Sequence, residues 1–177
     1  MNDLKIIAYI ELPEDAVEIR KEVFVEEQGF IEEFDVDDND AVHLVAFIGE
    51  KPVASCRIIT KDKQNYMIGR IAVRKEHRKK GIGAEIVKAA ETVITQWKIH
   101  YKLGDTVSVY IHSQMQAVPF YEKIGYISTG KTDYEQDCPH LMLKKRNIKL
   151  YLPFFVGGMF ILDILIFKIY NQNIINF

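Results

Sequence analysis

Apolar and polar positions along the chain change period several times, and each change predicts an element. The opening run "LKIIAYIEL" reads as a strand. Pro13 then starts "PEDAVEIRKEVFVEEQ", in which Ala16, Val17, Ile19, Val23 and Phe24 fall largely at helical spacing. After an acidic loop, "HLVAFI", the turn "GEKP" and "VASCRIIT" read as a hairpin, and "YMIGRIAV" as a third strand beyond the polar break "KDKQN". From Gly81 onward Ile82, Ile86, Ala89, Ala90, Val93, Ile94 and Trp97 recur at steps of three and four, which is the buried face of one long helix. "TVSVYIH" is a further strand, "AVPFYEKI" a short helix ended by Gly125, and "PHLMLKK" a last strand. Strands and helices in this mixed order predict an α+β or mixed α/β sheet with helices on both faces.

Composition narrows the class. A chain of 177 residues, 48% apolar and 27% charged, suits one globular domain with a real core. A formal net charge of −2 disfavours a nucleic-acid partner, which calls for a basic surface. Local charge is uneven: Glu26, Glu27, Glu32, Glu33, Asp35, Asp37, Asp38 and Asp40 crowd one stretch, Arg70, Arg74, Lys75, Arg78, Lys79 and Lys80 another. The first suits a cation and the second an anion, unless both are simply solvated surface. Cys56 and Cys138 form no C-x-x-C pair, and no apolar leader opens the chain, so a reducing, cytoplasmic setting is expected. The five histidines lack metal spacing, so no metal is expected.

"RKKGIGAEIVKAA", residues 78–90, sets three cations and two glycines at the start of the long helix. The first N–H groups of a helix have no intrahelical partner and sit at the positive end of its dipole, so a glycine-bearing turn there is suited to phosphate. The G-x-x-x-x-G-K-[ST] pattern is absent, and G-x-G-x-x-G fails at Ile86. On these residues alone the choice stays open between a pyrophosphate loop and a charged surface turn.

"RIAVRKEHRKKGIGAEIV" resembles motif A of the GNAT N-acetyltransferase superfamily. "SQMQAVPFYEKIGY" resembles its second signature; "RKEVFVEEQ", "EFDVDDNDAVHLVA" and "PHLMLKK" are similar to the ElaA/YjcF-like branch. The resemblance spans residues 4–146. It implies a mostly antiparallel twisted sheet splayed at the site of acetyl-CoA, the co-substrate. The pantetheine arm would pair with the strand carrying Ile71, Ala72 and Val73. The pyrophosphate would lie on the N–H groups of Lys79, Lys80, Gly81, Ile82, Gly83 and Ala84, with Arg78 adding charge.

The implied reaction is attack of a small molecule's primary amine on the thioester. An alkyl amine with a pKa near about 10.4 is neutral in only roughly one molecule in a thousand at pH 7, so deprotonation is the larger problem; the thiol, near about 8.5, leaves readily. Tyr121 is carried over from the second signature as the acid for the thiolate; otherwise it is a packed aromatic. Glu26 and Glu27 suit a base by their chemistry, Gln28 would orient the acceptor, and His140 would face it or be structural. The alternatives are a protein or peptide acceptor, a non-catalytic acyl-CoA-binding module, or a phosphate-binding module for another nucleotide.

The acetyltransferase pattern fills residues 1–147, and residues 148–177 form a hydrophobic extension. Between Leu150 and Phe167 the only charge is Asp163. Residues 150–169 are long enough to cross a bilayer as a helix. Lys144, Lys145, Arg146 and Lys149 beside them would keep the domain on the cytoplasmic face. A membrane anchor, a segment packed on the domain and a homodimer element are the expectations for this stretch.

Overall fold

The protein is described by a computed structural model over residues 3–62, 64–100 and 107–146. The membrane, packing and dimer expectations for residues 148–177 lie outside the described residues. Among the described residues no helix is long and apolar enough to cross a membrane.

Seven strands form one sheet in the order β1-β2-β3-β4-β5-β7-β6. They are β1 (Leu4–Tyr9), β2 (Val42–Ile48), β3 (Lys51–Thr60), β4 (Asn65–Val73), β5 (Ser108–Gln114), β6 (Ile127–Glu135) and β7 (Cys138–Arg146). Every neighbouring pair is antiparallel except β4 with β5. Alternation along β2 divides the core: Val42, Leu44 and Ala46 face one side, Val45 and Phe47 the other. Helix α1 (Glu14–Arg20) covers the second side through Ala16 and Ile19. Helix α2 (Ile82–His100) covers the first with the residues that its period of three and four predicts, Ile82 through Trp97. The short α3 (Val118–Lys123) packs on the same side through Phe120 and Tyr121.

Two features depart from the pattern of the sequence. The helix begun at Pro13 is α-helical only to Arg20 and continues as a π-helix over Lys21–Glu26. One wide turn leaves apolar spacing nearly unchanged, so periodicity does not reveal it. Strand β6 carries no strand signal: "ISTGKTDYE" is exposed at the sheet edge, and Gly130 at φ +77° sits in a register shift between Ser128 and Thr132. An edge strand with both faces wet has no apolar alternation to show.

A β-bulge shapes β4. Ser55 pairs with Ala72 but Arg57 with Gly69, so β4 carries one extra residue in that interval. Arg70 there adopts φ +49°, the left-handed region unusual for a side chain. Its guanidinium is held by Glu33 at 3.3 Å, Asp35 at 3.1 Å and Glu135 at 3.3 Å. Beneath it Arg20, only 1% exposed, bonds Glu33 at 2.6 Å and Asp38 at 2.7 Å, and Arg57 bonds both oxygens of Asp35 at 2.7 Å. The acidic stretch, read from sequence either as suited to a cation or as solvated surface, instead has Glu33, Asp35 and Asp38 neutralised by three arginines.

Candidate active site

Parallel pairing of β4 with β5 covers only Asn65, Tyr66 and Met67 against Ser108, Val109 and Tyr110. Beyond Met67 the two strands part. The far edge of β4 then presents every second N–H and C=O without a strand partner. The gap holds a cavity of about 570 Å³ lined by β4 from Met67 to Val73, β5 from Ile111 to Gln114, the turn before α2, and Phe24, Gln28 and Phe30 from beyond α1.

The turn before α2 faces this gap. Lys79 and Gly81 take positive φ, +61° and +82°, which turns the chain sharply into the helix. Arg78, Lys79, Gly81 and Gly83 line the cavity. Ala84 N–H donates to Gly81 O at 3.0 Å and Glu85 N–H to the same oxygen at 3.1 Å. Ala84 is therefore committed within the helix, unlike its expected place in the loop, while Ile82 and Gly83 stand at the helix start where N–H groups lack intrahelical acceptors. A Cβ on Gly83 would stand 3.3 Å from Phe120 Cζ, so any larger residue there requires the Phe120 ring to give way.

Several predicted site residues are placed otherwise than expected. Arg78 gives both terminal nitrogens to Glu27 at 2.6 Å and its Nε to Val73 O at 2.9 Å. Its charge is matched by a carboxylate instead of standing free for phosphate. The hydrogen bond from Arg78 in turn holds the Glu27 carboxyl below its usual range, which makes Glu27 a poor base. Glu26 and Lys80 are both exposed and outside the cavity lining. Ile71 and Val73 line the cavity, whereas the side chain of Ala72 packs on the α1 side and Ile82 lies in the core.

Tyr121, Gln28 and His140 do meet the cavity. Tyr121 is 7% exposed, and burial, with Cys56 beside it, raises its hydroxyl well above the ordinary value. It stays protonated and able to donate. Gln28 accepts from Gln114 Nε2 at 2.7 Å. His140 is buried, with Nδ1 2.8 Å from Cys138 O and its ring stacked on His112 at 4.5 Å between centroids.

The sequence reading missed His112 and Glu135, which share the lining with His140. Cross-strand register brings them together. His112 lies opposite Met142, Gln114 opposite His140, and Asp133 opposite His140, so side chains of His112, His140, Asp133 and Glu135 share one face of β5, β7 and β6. Alternation along "SVYIHSQ" points His112 away from core Ile111, a readable signal; Glu135 sits on the strand that had none. Burial pushes Glu135 up, but the hydrogen bond with His112, its largest influence, and the positive neighbours Arg70 and His140 take it down to about 2. Glu135 and Asp133 raise His112.

Residues 9–147 match the family model described as an acetyltransferase (GNAT) domain. The chain belongs to this family and is an acyltransferase. It is 37% identical over 134 residues to the uncharacterized N-acetyltransferase YjcF of Bacillus subtilis, covering 74% of this chain and 90% of that one. A solved structure from Lactobacillus plantarum is 29% identical, with a TM-score of 0.70 over 82% of this chain and 99% of that one. Escherichia coli ElaA shares the fold, with a TM-score of 0.65 and 24% identity over 80% of this chain and 97% of that one.

Proposed function

We propose that the chain transfers an acetyl group from acetyl-CoA to the primary amine of a small molecule. The observation that carries this reading is the parting of β4 from β5 beside the helix start at Gly81 and Gly83. An extended edge and a phosphate-suited turn open into one cavity. Ile71 and Val73 would receive the pantetheine arm and Lys79, Gly81, Ile82 and Gly83 the pyrophosphate. Acetyl-CoA supplies an activated thioester; Tyr121, held protonated, would donate to the departing thiolate. That donation is worth roughly 10² to 10⁴ in rate at most.

A small acceptor is favoured over a peptide because the acceptor side is strapped. Gln114 bonds Gln28 at 2.7 Å, while Gln136 Oε1 accepts from Ile31 N–H at 2.7 Å and Gln136 Nε2 donates to Glu32 O at 3.2 Å. These bonds fasten the segment after α1 to the end of β5 and to the β6–β7 turn, where a peptide would need an open groove. Thiol release from acetyl-CoA, followed over a panel of small primary amines and of lysine-bearing peptides, tests the reading. Release with the amines alone is expected; release with peptides alone would replace it by the protein-acetylating alternative.

A further inference from the structure

A second cavity, of about 270 Å³, adjoins the first. Its lining carries four glutamines, Gln28, Gln114, Gln116 and Gln136, and among the described residues no charged side chain. Gln28, Phe30 and Gln114 line both cavities, so the two meet at those residues. Sites for whole small molecules begin at about 300 Å³. The second cavity is therefore of a size for one end of a ligand whose other end lies in the first.

Three of the amides form a chain. Gln116 Nε2 donates to Gln114 Oε1 and Gln114 Nε2 to Gln28 Oε1, both at 2.7 Å. An amide nitrogen carries two protons and its carbonyl oxygen two lone pairs, so each bond leaves capacity unused. Among the described residues Gln28 Nε2 and Gln116 Oε1 have no partner. With all three amides turned over together the chain runs the other way, with a carbonyl free at Gln28 and an NH2 at Gln116. In either direction one end donates and the other accepts.

The fourth glutamine belongs to the frame. Gln136 Oε1 accepts from Ile31 N–H at 2.7 Å, and its Nε2 donates to Glu32 O at 3.2 Å. Gln136 and Asp137 turn β6 into β7 at φ +47° and +65°, a region where asparagine and glycine are the usual choice. A glutamine there fixes the segment after α1. That segment is held from its other side as Gly29 N–H donates to Val25 O at 3.0 Å and Phe30 N–H to Phe24 O at 2.9 Å. The chain of Gln28, Gln114 and Gln116 is left as the surface that faces a ligand.

That surface selects its guest by chemistry. An ammonium or carboxylate group brought here would meet no counter-charge in the lining and would lose part of its hydration. A methyl group would leave the amide ends facing it without partners. A hydroxyl both donates and accepts, as does a carboxamide, and so matches an amide chain of either direction.

We propose that this cavity is the specificity pocket for the far end of the acceptor, and that the acceptor is a primary amine bearing a neutral hydroxyl or carboxamide group. The proposal rests on the acetyl-transfer reading above and narrows its substrate class. The amine lies in the first cavity, and the chain joining it to the polar group passes over Gln28. Gln28 and Gln114 hold the polar group from the shared side, and Gln116 completes the pocket.

The test compares acceptors with the full-length chain: ethanolamine and ω-aminohexanol, their isosteres propylamine and heptylamine, and the charged analogues ω-aminohexanoate and hexanediamine. Rates are read by thiol release from acetyl-CoA, and binding in the presence of CoA by the side-chain amide ¹⁵N signals of Gln28, Gln114 and Gln116. The better of the two amino alcohols should exceed its isostere and the charged analogues by about fivefold or more in kcat/KM, and should move all three amide signals where the alkylamines do not. Gln116→Leu, a change at an exposed position, should bring that ratio below about twofold. Should the variant fail to fold, the amide signals of the parent chain decide. Equal rates for amino alcohols and alkylamines with unmoved amide signals overturn the pocket and leave acetyl transfer standing. A preference for ω-aminohexanoate or hexanediamine overturns the neutral class. Amide signals that respond to an amino alcohol in a chain that binds CoA but acetylates no amine overturn the acetyl-transfer reading alone.

Discussion

Arg78 and Glu27 meet as a two-pronged pair, each contact 2.6 Å, joining the turn before α2 to the residue that caps the π segment. The same guanidinium holds Val73 O at the end of β4. Two candidates for separate roles, phosphate charge and general base, are thus one strut beside the cavity that Arg78 lines. Glu27→Gln should retain kcat within about threefold, where loss of a true base costs roughly 10² or more. The KM for acetyl-CoA should rise severalfold as the turn loosens. Steady-state kinetics at two pH values separates these outcomes, and a hundredfold fall in kcat would restore Glu27 as base.

Gly83 lies against Phe120, which also lines the cavity. Gly83→Val should displace that ring, destabilise the fold by about 1 to 3 kcal/mol and weaken CoA binding at least tenfold. Phe120→Leu combined with Gly83→Val should recover part of the stability loss in a melting experiment. No recovery would mean that the strain lies elsewhere than at this contact.

Tyr121→Phe removes only a hydroxyl from a buried ring. It should lower kcat by about 10- to 100-fold and leave CoA affinity unchanged in calorimetry. An unchanged kcat would return Tyr121 to a packing role between α3 and the sheet.

The buried ion network should make the fold acid-sensitive. Burial alone would raise Asp38, but hydrogen bonds from Arg20 and Arg57 hold it well below the usual range, and Arg57 lowers Asp35 likewise. A depressed carboxyl contributes stability above its unfolded pKa of about 3.9, and that contribution fades as pH falls through the folded value. Glu33, raised by burial, acts in the opposite sense and offsets part of the effect. Melting temperature should therefore fall below about pH 4. Asp38→Asn should reduce that slope while costing about 3 to 5 kcal/mol at pH 7, because Arg20 and Arg57 lose a buried partner. A melting temperature flat from pH 5 to pH 2 in the parent would contradict this account.

Strands and helices that bury apolar side chains, on one face or on both, were legible in the sequence. The hairpin of β2 and β3, the apolar stripe of α2 and the strand β5 all carry the period of the surface they bury. The edge strand β6 and the π turn carry none, since neither changes which positions are apolar. The pocket contribution of Tyr121 and His140 was legible through the family resemblance, and that of Gln28 through its place at the end of the first helix. The partnership of His112 with Glu135 was not, because it depends on the register of three strands, one of them silent. The charge runs misled for a physical reason: net local charge does not show that Arg20, Arg57 and Arg70 fold back from other elements onto the acidic loop.

The gap between β4 and β5, with the turn before α2, is the proposed seat of acetyl-CoA. Calorimetric titration of the full-length chain with acetyl-CoA, CoA, ATP and NAD tests it most directly. Saturable binding of acetyl-CoA and CoA, weakened by Gly83→Val, is expected, with ATP and NAD at least tenfold weaker. Binding of ATP or NAD as tight as that of acetyl-CoA, or none of acetyl-CoA by a chain shown to be folded, would contradict it.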